Sequence, residues 1–199
     1  MTVSGAGGVW ANADCNHPRI SADGKLVGFF SRASNLVAGD SNGRNDAFVN
    51  NLASKDLIVV SRHPSGVFGD DHSYTPTFSG DGRFVTFHGS ATNLVPGDTN
   101  GAEDVFRYRL SDGQLQRVST SGHASAQQSD GRSYVSRASH DGRFISFNSI
   151  ATNLMAGATV NNGVMDVFVK DMQSGAVVWA SQGMGGVPGD GASDRAYIS

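Results

Sequence analysis

Cysteine is nearly absent. Cys15 stands alone, so no disulfide forms within the chain and no cysteine cluster holds zinc. Lysine is scarce too: Lys25, Lys55 and Lys170 are the only three, against scattered arginines. With a net charge of −3 the chain lacks the basic footprint of a nucleic-acid binder, and the same deficit argues against an anionic membrane surface. No apolar run approaches the length of a membrane span, and Met1–Gly5 shows neither the basic nor the apolar region of an export signal. Proline is limited to five residues. No His-Glu-x-x-His, Gly-x-Ser-x-Gly or Walker motif occurs, and the six histidines, His17, His63, His72, His88, His123 and His140, are dispersed. Sustained helical periodicity is missing as well.

Glycine is abundant, at 26 of 199 residues, where average usage is about 7%. It has no period of three, which excludes collagen, and it fits a protein of short strands and tight turns. Only 17% of residues are charged, too few for self-repulsion to keep the chain unfolded.

The ordering principle is an internal repeat. Ser21-Ala22-Asp23-Gly24-Lys25-Leu26-Val27-Gly28-Phe29 returns as Ser79-Gly80-Asp81-Gly82-Arg83-Phe84-Val85-Thr86-Phe87 and as Ser139-His140-Asp141-Gly142-Arg143-Phe144-Ile145-Ser146-Phe147. Three further elements follow each copy. They are Asn35-Leu36, Asn93-Leu94 and Asn153-Leu154; Asp46-Ala47-Phe48, Asp104-Val105-Phe106 and Asp166-Val167-Phe168; and Val60-Ser61, Val118-Ser119 and Ala180-Ser181. Each unit reads as four strands. The first are Arg19–Ser21, Thr77–Ser79 and Arg137–Ser139, each ending in an Asp-Gly hairpin turn. The second are Leu26–Ser31, Phe84–Gly89 and Phe144–Ser149; the third Asp46–Asn51, Asp104–Arg109 and Asp166–Asp171; the fourth Leu57–Arg62, Leu115–Thr120 and Ala176–Ser181. The recurring Leu36, Leu94, Leu154, Phe48, Phe106 and Phe168 are the expected core. The fold class is therefore all-β, a β-propeller of four-stranded antiparallel blades, with three repeats in one domain spanning 1–199. The blades are expected near 17–73, 74–133 and 134–194, flanked by partial strands at 1–16 and 195–199.

The pattern Phe78-Ser79-Gly80-Asp81-Gly82-Arg83-Phe84-Val85-Thr86-Phe87, with Asp104-Val105-Phe106, resembles the WD40-like PD40 repeat of bacterial TolB-type propellers over nearly the whole chain. Sialidase Asp-boxes are a rival, but they place glycine two residues after the aspartate, whereas Gly24, Gly82 and Gly142 follow it directly. The resemblance implies a non-enzymatic binding or scaffold module for a protein or glycan ligand, in a periplasmic or secreted setting. The alternative is part of a sialidase-like hydrolase or lyase. Propellers close with four to eight blades. Three blades thus read as a partial propeller or as half of a six-bladed ring closed by self-association into a homodimer. The segment from Val3-Ser4 to Ser21 repeats from Ala180-Ser181 to Ser199 and supplies a spare first strand.

The loop before each third strand carries the most chemistry. In blade one it holds Asp40, Asn42 and Asp46; in blade two, Asp98, Asn100 and Asp104. Two carboxylates and an amide oxygen around an Asn-Gly turn suit Ca²⁺, which takes hard oxygen ligands. The other reading has Asn-Gly making the turn while the aspartates cap local N–H groups. In blade three Ala158 replaces the first aspartate, so metal binding there is expected to be weak or absent. Asp23, Asp81 and Asp141 read as turn residues rather than catalytic ones. Asp70-Asp71-His72, between blades, is a lesser metal candidate.

Overall fold

The computed structural model describes residues 10–122, 126–155, 163–187, 189, 191–193 and 198. Among them, twelve strands form three four-stranded antiparallel sheets. Blade one holds β1 (Cys15–Ile20), β2 (Leu26–Ser31), β3 (Asp46–Asn51) and β4 (Leu57–Val59). Blade two holds β5 (Ser73–Phe78), β6 (Phe84–Gly89), β7 (Asp104–Arg109) and β8 (Leu115–Arg117). Blade three holds β9 (Ser133–Ala138), β10 (Phe144–Ser149), β11 (Asp166–Asp171) and β12 (Val177–Trp179). Strands within each sheet lie in chain order. A 3-10 turn at Met184–Gly186 is the only helical element among the described residues.

The second and third strands fall where the sequence predicts them. The first strands begin four residues earlier than expected, because each carries a bulge that breaks two-residue alternation. In blade one the register jumps between Asn16, opposite Phe30, and Arg19, opposite Gly28. Blade two jumps between Tyr74 and Thr77. Inside these bulges His17, Thr75 and Val135 adopt φ of 51°, 47° and 47°. A positive φ is strained for any side chain, most of all the β-branched ones. The fourth strands are shorter than expected, since the ladder beyond them runs through a side chain. The amides of Ala47, Val105 and Val167 donate to the hydroxyls of Ser61, Ser119 and Ser181 at 2.9, 3.1 and 2.9 Å.

The sheets stack face to face with their first strands adjacent. Ala47, Val49 and Val60 on the trailing face of blade one pack on Phe87, Leu94 and Phe106 of blade two. Val105 and Val118 of blade two meet Phe147, Leu154, Phe168 and Trp179 of blade three. Phe29, Leu36, Phe48 and Val59 form a third cluster on the leading face of blade one. The expected core residues are all buried. Full burial of one such phenylalanine contributes roughly 1.5–3 kcal/mol.

The three Asp-Gly turns are alike in backbone, with φ of 73°, 71° and 69° at Gly24, Gly82 and Gly142. Their surroundings differ. A Cβ on Gly24 would meet nothing within 4 Å, whereas one on Gly142 would lie 2.3 Å from Cδ2 of Phe84 in the preceding blade. Arg107 presses on the same ring, its guanidinium 4.6 Å from the Phe84 centroid, and donates to the Gly142 carbonyl at 2.7 Å. Gly24→Ala is expected to cost about 1 kcal/mol of stability, the strain of a positive φ. Gly142→Ala should cost a further 1–3 kcal/mol or so for the overlap. Urea denaturation of both variants measures the difference, and equal midpoints would refute the close approach.

Candidate functional site

The most repeated polar residues are spent on architecture. In each Asp-Gly turn the serine hydroxyl donates to the aspartate, at 2.6 Å for Ser21 and Asp23, 2.7 Å for Ser79 and Asp81, and 2.7 Å for Ser139 and Asp141. The same carboxylates accept the amides of Lys25, Arg83 and Arg143 at 3.1, 3.0 and 3.0 Å. These bonds hold Asp23 and Asp141 below the usual carboxylate range. Each Asn-Leu asparagine ties its blade to the preceding connection. The amide nitrogens of Asn35, Asn93 and Asn153 donate to the carbonyls of Trp10, Phe68 and Gln128 at 2.7, 2.9 and 2.8 Å. Asp70 is taken up by Thr92, whose amide and hydroxyl both donate to it at 2.7 Å. His72 Nδ1 accepts the Asn45 amide at 2.8 Å. Asp70 and His72 are therefore committed to different partners.

The acidic loops are built on a clamp between the third and fourth strands. Ser61 and Ser181 donate to Oδ1 of Asp46 and Asp166 at 2.9 and 2.7 Å, and Ser119 donates to Oδ1 of Asp104. Asn42 and Asn100 close the Asn-Gly turns. Their amide oxygens accept the amides of Arg44 and Ala102 at 2.9 and 3.0 Å, and their nitrogens donate to Oδ2 of Asp46 and Asp104 at 3.0 and 3.2 Å. The asparagine oxygens thus serve the turn, and each loop keeps two aspartates close enough to act on each other, Asp40 with Asp46 and Asp98 with Asp104. No group of three or more His, Cys, Asp or Glu side chains gathers among the described residues.

The two pairs differ in one neighbour. In blade two Arg117 Nη1 stands 3.5 Å from Asp98 Oδ1 and 3.5 Å from Asp104 Oδ2. Gln128 Oε1 accepts from the same nitrogen at 2.5 Å. Arg117 lies opposite Phe106, and the residue opposite Phe48 in blade one is Val59. Burial pushes Asp46 up to about 6, and the Asp40 charge adds to the rise. Burial also pushes Asp98 up to about 6; the Asp104 charge adds, and Arg117 opposes.

A second constellation escaped the sequence reading. At the inner edge, where first strands of successive blades meet, aromatic and histidine rings pack within and across the seams. His17 lies parallel to Phe30 at 5.2 Å, and Phe30 meets Tyr74 edge-on at 5.3 Å. Tyr74 neighbours His72 at 5.8 Å and His88 at 5.7 Å, and His88 reaches Tyr134 at 6.2 Å. Arg132 sits over Tyr134, 5.5 Å from the centroid. Phe30 and His88 hold matching positions, opposite Asn16 and Tyr74. The available signal was that Tyr74 and Tyr134 recur one residue before the bulge.

No protein-family model matches the chain, and no curated protein matches it. Among solved structures, the β-propeller domain of the Trilobed protease from Pyrococcus furiosus is 13% identical at a TM-score of 0.49, over 83% of this chain and 41% of that one. A prolyl endopeptidase structure is 15% identical at a TM-score of 0.50, over 87% of this chain and 22% of that one. A TolB candidate from Agrobacterium tumefaciens is 16% identical at a TM-score of 0.38, over 89% of this chain and 67% of that one. The chain thus spans less than half the length of the first two. Identities this low speak to fold alone. Three four-stranded antiparallel sheets, stacked with their first strands adjacent, are blades of a β-propeller.

His88 yields a pH prediction. Its Nδ1 is buried without a hydrogen-bond partner, and burial, with the His17 charge adding, lowers its pKa to about 4. The fold favours neutral His88, while the unfolded chain takes up a proton near the ordinary value of 6.5. The associated stability is complete above about pH 6.5 and is lost as pH falls toward 4, by roughly 2–3 kcal/mol. His88→Phe, which copies Phe30 of blade one, is expected to shrink the stability difference between pH 7 and pH 4.5 in urea titrations. An unchanged difference would clear His88 of the effect.

Proposed function

We propose that this chain is part of a TolB-type propeller that acts as a non-enzymatic binding module, and that its third blade seats the first blade of a second copy to build a six-bladed ring. The TolB-type assignment rests on the repeated Ser-x-Asp-Gly and Asp-x-Phe motifs. The observation that carries the assembly is the trailing face of blade three. Its counterparts Ala47, Val49 and Val60, and Val105 and Val118, are completely buried under the following blade. In blade three the matching Val167 and Val169 are only partly buried, Ala180 is exposed, and neighbouring Val178 is 56% exposed. A sheet face of this composition gains by being covered. The backbone beside it keeps the inter-blade pattern. The Ser193 amide donates to the Met165 carbonyl at 2.8 Å, as Ser73 does to Asn45 and Ser133 to Glu103, both at 2.7 Å. The assembled ring would offer a protein or glycan ligand the stacked rings of its inner edge.

Light scattering coupled to size exclusion tests the assembly. The 199-residue chain is expected at twice its 20.8 kDa mass, and Val178→Asp is expected to shift it to the monomer. A monomer at every concentration would overturn docking by a second copy.

A further inference from the structure

We propose that the loop between β2 and β3 binds one hard divalent cation of the Ca²⁺ class between Asp40 and Asp46, at the place that an arginine fills in blade two. Asp40 is only 8% exposed, and its Oδ2 is buried without a hydrogen-bond partner. A buried carboxylate oxygen is costly unless something positive or a donor reaches it. Asp46, completely buried, lies near enough for the Asp40 charge to act on it, and its Oδ2 accepts from the Asn42 amide at 3.0 Å. The nearby arginines are engaged elsewhere: Arg44 pairs with Asp71 at 3.6 Å, and Arg62 Nε donates to the Gly66 carbonyl at 2.6 Å.

The chain contains its own control. Blade two places the same carboxylate pair at the same point of the repeat and sets a guanidinium 3.5 Å from each. That side chain is 7% exposed, an internal cation neutralising two buried acids. In blade one Val59 takes its place and packs into the apolar cluster with Phe29 and Phe48. The negative pair is kept while the resident positive charge is lost. An external ion restores the balance. The donors are carboxylate oxygens, which suit a hard cation. Ser41, Gly43 and Arg44 are solvent-exposed on the loop, so water can complete the six to eight oxygens that Ca²⁺ takes. The site lies within one blade and so does not depend on ring closure.

Native mass spectrometry and thermal melting, with CaCl₂ alone as the probe, test this. The unmodified chain is expected to carry one Ca²⁺ per subunit. Its melting temperature should rise by about 5 °C once the ion reaches a hundredfold excess over its dissociation constant. MgCl₂ and matched NaCl serve as controls. Asp40→Asn should abolish both effects. Val59→Arg, which copies blade two, should bind no Ca²⁺ and melt, without metal, no lower than the unmodified chain. Arg117→Val should gain a second ion. Absence of any bound Ca²⁺ and of any thermal response in the unmodified chain overturns the proposal, as does Ca²⁺ binding that persists in Asp40→Asn. Should Val59→Arg fail to fold, Asp40→Asn, which alters no apolar contact, decides. A monomeric chain that still binds one Ca²⁺ would sink the ring and leave the cation site standing.

Discussion

A four-stranded sheet of this chain is apolar on both faces, and no sheet can cover its own two faces. Everything else follows from stacking. Because Phe87 and Phe106 must lie under Ala47 and Val49 of the previous blade, the chain between blades must return each time to the same inner edge. The recurring asparagines pin that return, each bonded to the connection that precedes its blade. The serine–aspartate clamp does the same for the outer strand, whose short ladder would otherwise end in unsatisfied amides.

Stacking also buries acids. Each blade keeps an aspartate at the start of its third strand, with Asp46 and Asp104 at 0% exposure and Asp166 at 1%. The blades balance that charge differently. Blade two recruits Arg117, which bridges both of its carboxylates. Blade three has alanine, Ala158, where the others have Asp40 and Asp98. Blade one retains both acids with neither remedy. The clamp tolerates these differences because it uses Oδ1 and leaves Oδ2 to whatever the neighbouring loop supplies.

Sequence reading was strongest where one residue type had one physical use. Asp-Gly located the hairpins, and the placement of Phe48, Phe106 and Phe168 fixed the third strands and the core. It was weakest where geometry changed the meaning of spacing. The bulges at His17, Thr75 and Val135 hid the beginnings of the first strands, because an extra residue resets the alternation on which strand recognition depends. The ring contacts of the inner edge were hidden for another reason, since Phe30 meets Tyr74 and His88 meets Tyr134 only across blades. The acidic loops were legible as clusters of oxygen but not in their bonding. Asn42 and Asn100 could be read as ligands or as turn residues, and only their hydrogen bonds place the oxygens in the turn. Arg117 gave no signal of its own. Its partners are 13 and 19 residues away, and its counterparts are valine and tryptophan.

The two seams within the chain are not interchangeable. At the first, Phe30 meets Tyr74; at the second, His88 meets Tyr134, and Arg107 clasps Gly142 over the ring of Phe84. Tandem repeats run the risk of pairing with the wrong neighbour as they fold, since near-identical units offer near-identical surfaces. Arg107 has valine as its counterpart in both other blades, and Gly142 is the glycine of its turn that has an aromatic ring pressed against it. A blade one docked in error against blade three would bring no guanidinium to that carbonyl. The divergence of the repeats therefore acts as an address, giving a chain of similar parts a single order of assembly.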